Sequence, residues 1–282
     1  MTALYIGLII AAVFVIFVIA YFLMIMPRMT GKPDTEAFMH HLYAHRGLFD
    51  NESDAPENSM KAFKKAVDAG FGIEMDIQLT KDGQMVVFHD WNLKRMCGVE
   101  GKVCEYTFEE LQQFSLLKSE EKIPLFTEVL KLIDGKVPLI IEYKIETPDA
   151  SVCEVGNEIL RDYKGVYCIE SFNPFGVHWY KKHRKDVVRG QLSEDFLKNG
   201  LPKTPVHFIV GNLLTNFWAK PDFIAYNAKN YKNLSRRICR KLYKNLAVTW
   251  TIKSQEQLDA MREHFDLFIF DSFVPEADYM KK

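Results

Sequence analysis

Between Tyr43 and Asp90 the chain carries, in order, His45-Arg46-Gly47, Pro56-Glu57-Asn58, Glu74-Met75-Asp76 and His89-Asp90, with Glu142-Tyr143-Lys144 further on. These residues are the inventory for cutting a phosphate ester with the help of a metal ion. Glu74, Asp76 and Glu142 offer three carboxylates, whose oxygens suit a hard cation, Mg²⁺ or Ca²⁺, better than zinc, which favours His and Cys. Such a cation would neutralise the charge that builds on a phosphate in the transition state. Arg46 can grip phosphate through two parallel hydrogen bonds, whereas Lys144 acts as a point charge. His45 and His89 have the near-neutral pKa that lets one deprotonate an attacking hydroxyl and the other protonate a leaving alkoxide. The sequence does not say which histidine takes which part.

Each group also has a plain reading. Pro56-Glu57-Asn58-Ser59 can be a helix start capped by Asn58 or Ser59. Glu74 and Asp76 can be a solvated strand edge, and Glu142 with Lys144 a simple ion pair. Taken together, flanked by Leu, Ile, Val and Met, the plain readings leave several charges on core strands without purpose. Burying charge without a partner or a metal costs several kcal/mol, so the set is read as one site.

The elements that must position these groups follow from periodicity. Strands are expected at Leu42–His45, Ile73–Leu79, Pro138–Tyr143, Val166–Ser171, Val188–Leu192, Asp222–Asn227, Leu246–Thr251 and Leu267–Phe270. Amphipathic helices are expected at Ser59–Ala69, Phe126–Ile133, Ala150–Arg161 and Ser254–His264. Eight strands alternating with helices suit an α/β fold of the (β/α)8 TIM-barrel type, with a doubly wound open sheet as the rival. No GxGxxG or Walker loop follows an early strand, which counts against the nucleotide-binding versions of that rival. A barrel demands catalytic groups at the C-terminal ends of strands. His45 and Arg46 end the first, while Glu74 with Asp76 and Glu142 with Lys144 share a face at i, i+2 spacing. Met85–Phe88, after the Asp82-Gly83 turn, reads as a hairpin arm that delivers His89.

Upstream, Ala3 to Met26 is uncharged and rich in Ile, Val, Phe and Leu. As a helix it would be about 36 Å long, enough for a bilayer core of about 30 Å. A cleaved signal peptide fits poorly: no Lys or Arg precedes the run, it exceeds a usual h-region, and no small-x-small site follows. Residues 1–27 are therefore expected to form a single transmembrane anchor, 28–40 a juxtamembrane linker, and 41–282 the barrel. Arg28 and Lys32 flank the C-terminal end, so the positive-inside bias places the barrel on the cytoplasmic side. The net charge of −1 gives no pointer to nucleic acid. Five cysteines without a CxxC pair do not resemble a disulfide framework or a zinc site, and reduced thiols are expected.

The strings Ala44-His45-Arg46-Gly47, Pro56-Glu57-Asn58-Ser59, Gly72-Ile73-Glu74-Met75-Asp76-Ile77 and Asp82-Gly83-Gln84-Met85-Val86-Val87-Phe88-His89-Asp90 resemble the glycerophosphodiester phosphodiesterase family. Ile123-Pro124-Leu125, Glu128-Val129-Leu130, Ile141-Glu142-Tyr143-Lys144, Ser171-Phe172-Asn173 and Thr249-Trp250-Thr251 continue the likeness in order. The resemblance implies a TIM barrel that binds one divalent cation and hydrolyses glycerophosphodiesters to glycerol 3-phosphate and an alcohol. It implies Glu74, Asp76 and Glu142 as metal ligands, and His45 and His89 as the acid–base pair. Arg46 and Lys144 would serve the phosphate, Glu57 would stand beside them, and Trp250 would line the glycerol side. The attacking hydroxyl would come from water or from the substrate's own glycerol 2-OH.

Departures lie in the loops. Trp91 to Gly98 stands where the family has Leu-Asp-Arg-Thr-Thr, and Phe270-Asp271-Ser272-Phe273-Val274-Pro275 where Thr-Asp-x-Pro is common. They bear on the alcohol, not on the hydrolysis. A lysophospholipid or a polyglycerol-phosphate polymer is the alternative substrate on the same scaffold. A catalytically silent, membrane-anchored binding barrel is the alternative outside hydrolases, and a metal-free phospholipase C-type barrel is opposed by the carboxylate set. Arg236, Arg237, Arg240, Lys241 and Lys244 read as a solvated helix face or a contact for anionic lipid. His40, His41, His178, His183, His207 and His264 read as surface or ordinary core residues.

Overall fold

The computed structural model describes residues 2–276. Nine strands form one sheet: β1 Leu42–His45, β2 Gly72–Leu79, β3 Met85–Val87, β4 Leu139–Tyr143 and β5 Tyr167–Ser171, then β6 Arg189–Ser193, β7 Phe223–Asn227, β8 Leu246–Ile252 and β9 Leu267–Phe270. The parallel order β1-β9-β8-β7-β6-β5-β4-β2 closes through pairing of β1 with β2. The result is the eight-stranded parallel barrel expected, not an open sheet. β3 pairs antiparallel with the end of β2, Ile77 opposite Val87, and is the hairpin arm that delivers His89.

Alternation along each strand decides what faces inward. Tyr43, Ile140, Cys168, Phe223, Val248 and Leu267 point into the barrel and fill its floor. Their neighbours Ala44, Ile73, Met75, Leu139, Ile141 and Ile169 point out and meet the helices. Two glycines make the floor possible. A Cβ at Gly72 would stand 2.6 Å from the Tyr43 ring, and one at Gly190 would stand 2.1 Å from the Phe223 ring. Two or four residues further along each strand, the same inward parity presents His45, Glu74, Asp76, Glu142 and Trp250 at the opposite end.

The helices are α1 Thr2–Ile25, α2 Met60–Asp68, α3 Lys94–Cys97, α4 Phe108–Leu111, α5 Phe126–Ile133 and α6 Ser151–Leu160. They continue with α7 Pro174–His183, α8 Pro205–Gly211, α9 Asn216–Ala219, α10 Leu234–Lys241 and α11 Gln255–Met261. Ser59 caps α2, its Oγ accepting from Ala62 N at 3.1 Å, which leaves the Asn58 side chain for another task. α3 and α4 belong to an excursion between β3 and α5 with its own small core, built on Phe88, Leu93, Met96, Val103 and Leu111. That core props the loop carrying His89.

α1 is long and apolar enough to cross a membrane. Side chains from Leu4 to Ala20 are exposed, and only the last turn docks, with Ile25 fully buried. The segment that follows is not a slack tether. Arg28 bonds Asp222 at 3.3 Å, and Phe38, in a 3-10 turn over Glu36–Phe38, is buried beneath the floor, where its carbonyl accepts from Tyr43 Oη. The five cysteines are unpaired, including Cys97 and Cys104. The basic face expected around Arg236 needs one correction. Arg236 is buried, donating to the carbonyls of Tyr231 and His264 and lying over the Phe265 ring. Its guanidinium tethers α10 to the segment before it and to the turn after α11, because its position faces inward on the helix.

Candidate active site

The C-terminal ends of β1, β2, β4, β5, β8 and β9 surround a cavity of about 360 Å³. His45, Arg46, Glu57, Glu74, His89, Glu142 and Trp250 line it, so residues spread over two hundred positions meet at one mouth. Asp76 lies beneath, fully buried. Lys144 opens instead into the adjoining depression that shares His89.

Glu74, Asp76 and Glu142 each bring a carboxylate oxygen within 4.8 Å of the others. Oxygens on a common Mg²⁺ or Ca²⁺, each about 2.1–2.5 Å from the ion, lie at most about 5 Å apart. The spacing therefore fits one cation. Register explains it: Asp76 pairs with Glu142 across β2 and β4, and Glu142 with Glu170 across β4 and β5. Glu170 is a fourth buried carboxylate, and its Oε2, like Asp76 Oδ1, makes no hydrogen bond. The cations that reach this cluster are Lys144, 2.9 Å from Glu142 and 3.4 Å from Asp76, and Arg46, 3.6 Å from Asp76. So much buried negative charge asks for a further cation.

The titrations carry the same signature. Burial, then the charges of Asp76, Glu142 and Glu170, push the Glu74 carboxyl well above the usual range. Burial and then Glu142 and Asp76 do the same to Glu170. Asp76 goes the other way: burial opposes ionisation, but His89, Lys144, Arg46 and the Asn58 amide together outweigh it. The Asn58 Nδ2 donates to Asp76 Oδ2 at 3.0 Å, the task left open when Ser59 took the cap.

Both histidines are oriented through Nδ1. His45 Nδ1 lies 2.9 Å from Asp271 Oδ2, and its Nε2 is 3.9 Å from Glu74. His89 Nδ1 lies 2.6 Å from Asp90 Oδ1. In each case Nε2 is the nitrogen left for chemistry, the arrangement by which a carboxylate fixes a histidine's tautomer and ring plane. Burial, then the Arg46 charge, holds His45 below the ordinary imidazole value despite Asp271.

A chain of ion pairs locks the rest. Arg46 Nη1 bonds Glu57 at 2.6 Å, and Glu57 also takes two bonds from Arg95, at 2.6 and 2.9 Å. Arg95 in turn bonds Asp90 twice, at 2.6 and 3.0 Å, and Asp90 holds His89. Burial would raise Glu57, yet Arg95 and Arg46 hold it down at about 2. The Arg46 backbone adopts φ 56° and its N–H donates to Glu74 at 3.1 Å. Asn58, at the same positive φ, donates its N–H to the Arg46 carbonyl at 2.9 Å. Such left-handed backbone in non-glycine residues is costly and concentrates where side chains must be aimed.

Across the cavity stand Phe172, Leu192 and Trp250, an apolar wall in which the Trp250 Nε1–H has no protein acceptor. Sequence reasoning missed four of the residues described here. Asp271 and Arg95 fall inside the two stretches noted as departures, and Leu93 and Arg95 occupy the Leu and Arg places of Leu-Asp-Arg-Thr-Thr. Asp90 was visible as the neighbour of His89. Glu170, two residues from the end of a strand-like run, repeats the placement of Glu142.

The glycerophosphoryl diester phosphodiesterase family matches the chain over residues 45–266. A Bacillus altitudinis glycerophosphodiester phosphodiesterase is 41% identical over 115 residues, covering 38% of this chain and 46% of the relative. One from Caldanaerobacter subterraneus is 36% identical over 163 residues, covering 53% and 65%. The matched stretches thus span about half to two thirds of these relatives. Among solved structures, an Oleispira antarctica phosphodiesterase in complex with sn-glycerol-3-phosphate superposes with a TM-score of 0.67 at 21% identity, over 83% of this chain and 94% of that one. At that identity the likeness is one of fold.

Proposed function

The chain belongs to the glycerophosphoryl diester phosphodiesterase family, and from that premise we propose that it hydrolyses glycerophosphodiesters to glycerol 3-phosphate and an alcohol. One observation carries the reading: two carboxylate-oriented histidines present Nε2 to a cavity floored by Glu74, Asp76 and Glu142. A silent barrel would have no reason to keep that set intact.

In this scheme Glu74, Asp76 and Glu142 hold one divalent cation, Mg²⁺ or Ca²⁺. When bound, it supplies Lewis-acid stabilisation of charge on the phosphate. His45 and His89 are the acid–base pair, passing a proton from the attacking hydroxyl and to the departing alkoxide through Nε2. Arg46 grips phosphate while Glu57 fixes its guanidinium, and Lys144 adds positive charge that favours the ionised form of Asp76 and partly opposes the burial that raises Glu142. Trp250 lines the glycerol side with a free indole N–H.

We propose further that residues 1–27 anchor the enzyme in a membrane, that 28–40 join anchor to barrel, and that 41–282 form the catalytic domain on the cytoplasmic face. The length and composition of α1 and the Arg28 and Lys32 flank support this. The experiment is release of glycerol 3-phosphate by metal-stripped protein given Mg²⁺ or Ca²⁺. Glycerophosphocholine, glycerophosphoethanolamine and a lysophospholipid are offered in parallel. Metal-dependent release from a diester supports the reading, and tight metal binding without release from any of them overturns it.

A further inference from the structure

Where α1 docks decides which end of the barrel meets the bilayer. Tyr21 Oη lies 2.9 Å from Ser235 Oγ in the first turn of α10. One turn later on both helices, the Ile25 carbonyl accepts from Cys239 Sγ at 3.3 Å. The Tyr243 hydroxyl, just past α10, reaches back to the Phe22 carbonyl at 2.8 Å, and beyond Ile25 the Arg28 N–H donates to the Pro221 carbonyl at 3.0 Å just before β7 begins, so the segment descends from the first turn of α10 toward the floor. α10 connects the end of β7 to the start of β8, so it runs from the mouth of the barrel to its floor. α1 therefore also runs from mouth to floor, and its exposed residues Leu4 to Ala20 project on the mouth side. That stretch is about 26 Å long at 1.5 Å per residue, slightly less than a bilayer core of about 30 Å. There is no spare length to hold the barrel away.

The surface brought to the bilayer is dressed for it. α8 sits at the mouth, its Val210 and Gly211 carbonyls accepting from Ser193 Oγ at the end of β6 and Tyr226 Oη near the end of β7. Its outer face shows Val206, 64% exposed, Phe208, 52% exposed, and Ile209. Exposed Lys203, Lys229 and Lys232 stand on the same rim. Apolar side chains bracketed by lysines are the composition that inserts shallowly into an anionic interface. Inward, the rings of Trp250, Phe172, Phe196 and His207 follow one another at 5.5, 6.0 and 5.2 Å, an unbroken aromatic track from the cavity to α8.

We propose that the mouth of the barrel is seated on the bilayer that α1 crosses, with α8 as the contact. This rests on the anchor reading given above. The test places Phe208→Trp and, at the floor end just before β5, Val166→Trp in the full chain. Each is reconstituted in phosphatidylcholine–phosphatidylglycerol vesicles with brominated acyl chains and compared with the unsubstituted protein. Unchanged turnover of glycerophosphocholine shows that both variants are folded. The emission added at position 208 is expected to be quenched and that at 166 to be kept. If the chain resists alkaline extraction yet 208 is not quenched, or 166 is, the anchor stands and the seating is overturned. Burial of position 208 in a dimer without lipid also overturns it, assigning α8 to a second copy. Release by alkaline wash removes the anchor reading and the seating together.

Discussion

Asp271, which follows the last strand, holds His45, which ends the first, at 2.9 Å across the seam where the barrel closes. Closure of the sheet is thus what completes one half of the acid–base pair. Asp271→Asn keeps the shape but removes the carboxylate that favours protonated imidazole. Turnover should fall by about two orders of magnitude or more, by the logic of carboxylate-oriented histidines. The sign of the pH effect follows. Burial and Arg46 already depress His45 and Asp271 opposes them, so its loss moves the acidic limb of kcat/KM to lower pH. An unmoved limb in the measured profile would show that His45 does not set it.

His45→Ala and His89→Ala should each lower kcat by at least about two orders of magnitude, the usual contribution of general acid–base groups. Calorimetric titration should find divalent-cation binding retained in both. Near-normal turnover in either variant removes that histidine from the mechanism.

The buried carboxylates make the cation a stability factor as well. Stripped protein keeps Glu74, Asp76, Glu142 and Glu170 together with Arg46 and Lys144 as the nearby cations. A cation at a hundred times its Kd should add about 2.7 kcal/mol, or roughly 5–10 °C in Tm for a domain of this size. Glu142→Gln should abolish that increment without preventing folding, and scanning calorimetry with and without Mg²⁺ or Ca²⁺ reads it directly. An undiminished increment would place the metal elsewhere.

The barrel was legible because apolar strand-like runs alternate with amphipathic helical segments along the chain. Leu42–His45 and Leu267–Phe270 coincide with the expected strands, and the other six differ by a residue or so at an end. α8 and α9 were not legible: both are short, and Phe208, Val206 and Phe217 are exposed, so no apolar stripe marks a buried face. The metal cluster could be read from i, i+2 spacing. The orienting shell could not, because Asp271 to His45 and Arg95 to Glu57 are contacts between distant loops. Nor did spacing tell that Ser59 caps α2 while Asn58 turns to Asp76.

Glu57 offers the sharpest test of that shell, because its pairing with Arg46 and Arg95 leaves a titration signature. Its folded pKa, about 2, lies below an ordinary 4.5. The stabilisation is therefore fully present above about pH 4.5 and is lost as pH falls toward about 2. The difference corresponds to roughly 3 kcal/mol at neutral pH. Glu57→Gln should cost about that much near pH 7 in urea unfolding of metal-stripped protein, with the deficit shrinking steadily in more acid solution. The substitution also frees Arg46 and Arg95, so His89, held through Asp90 and Arg95, should lose its fixed orientation and kcat should drop with it. A stability deficit that stays constant with pH would mean that the two guanidiniums do not hold Glu57 ionised.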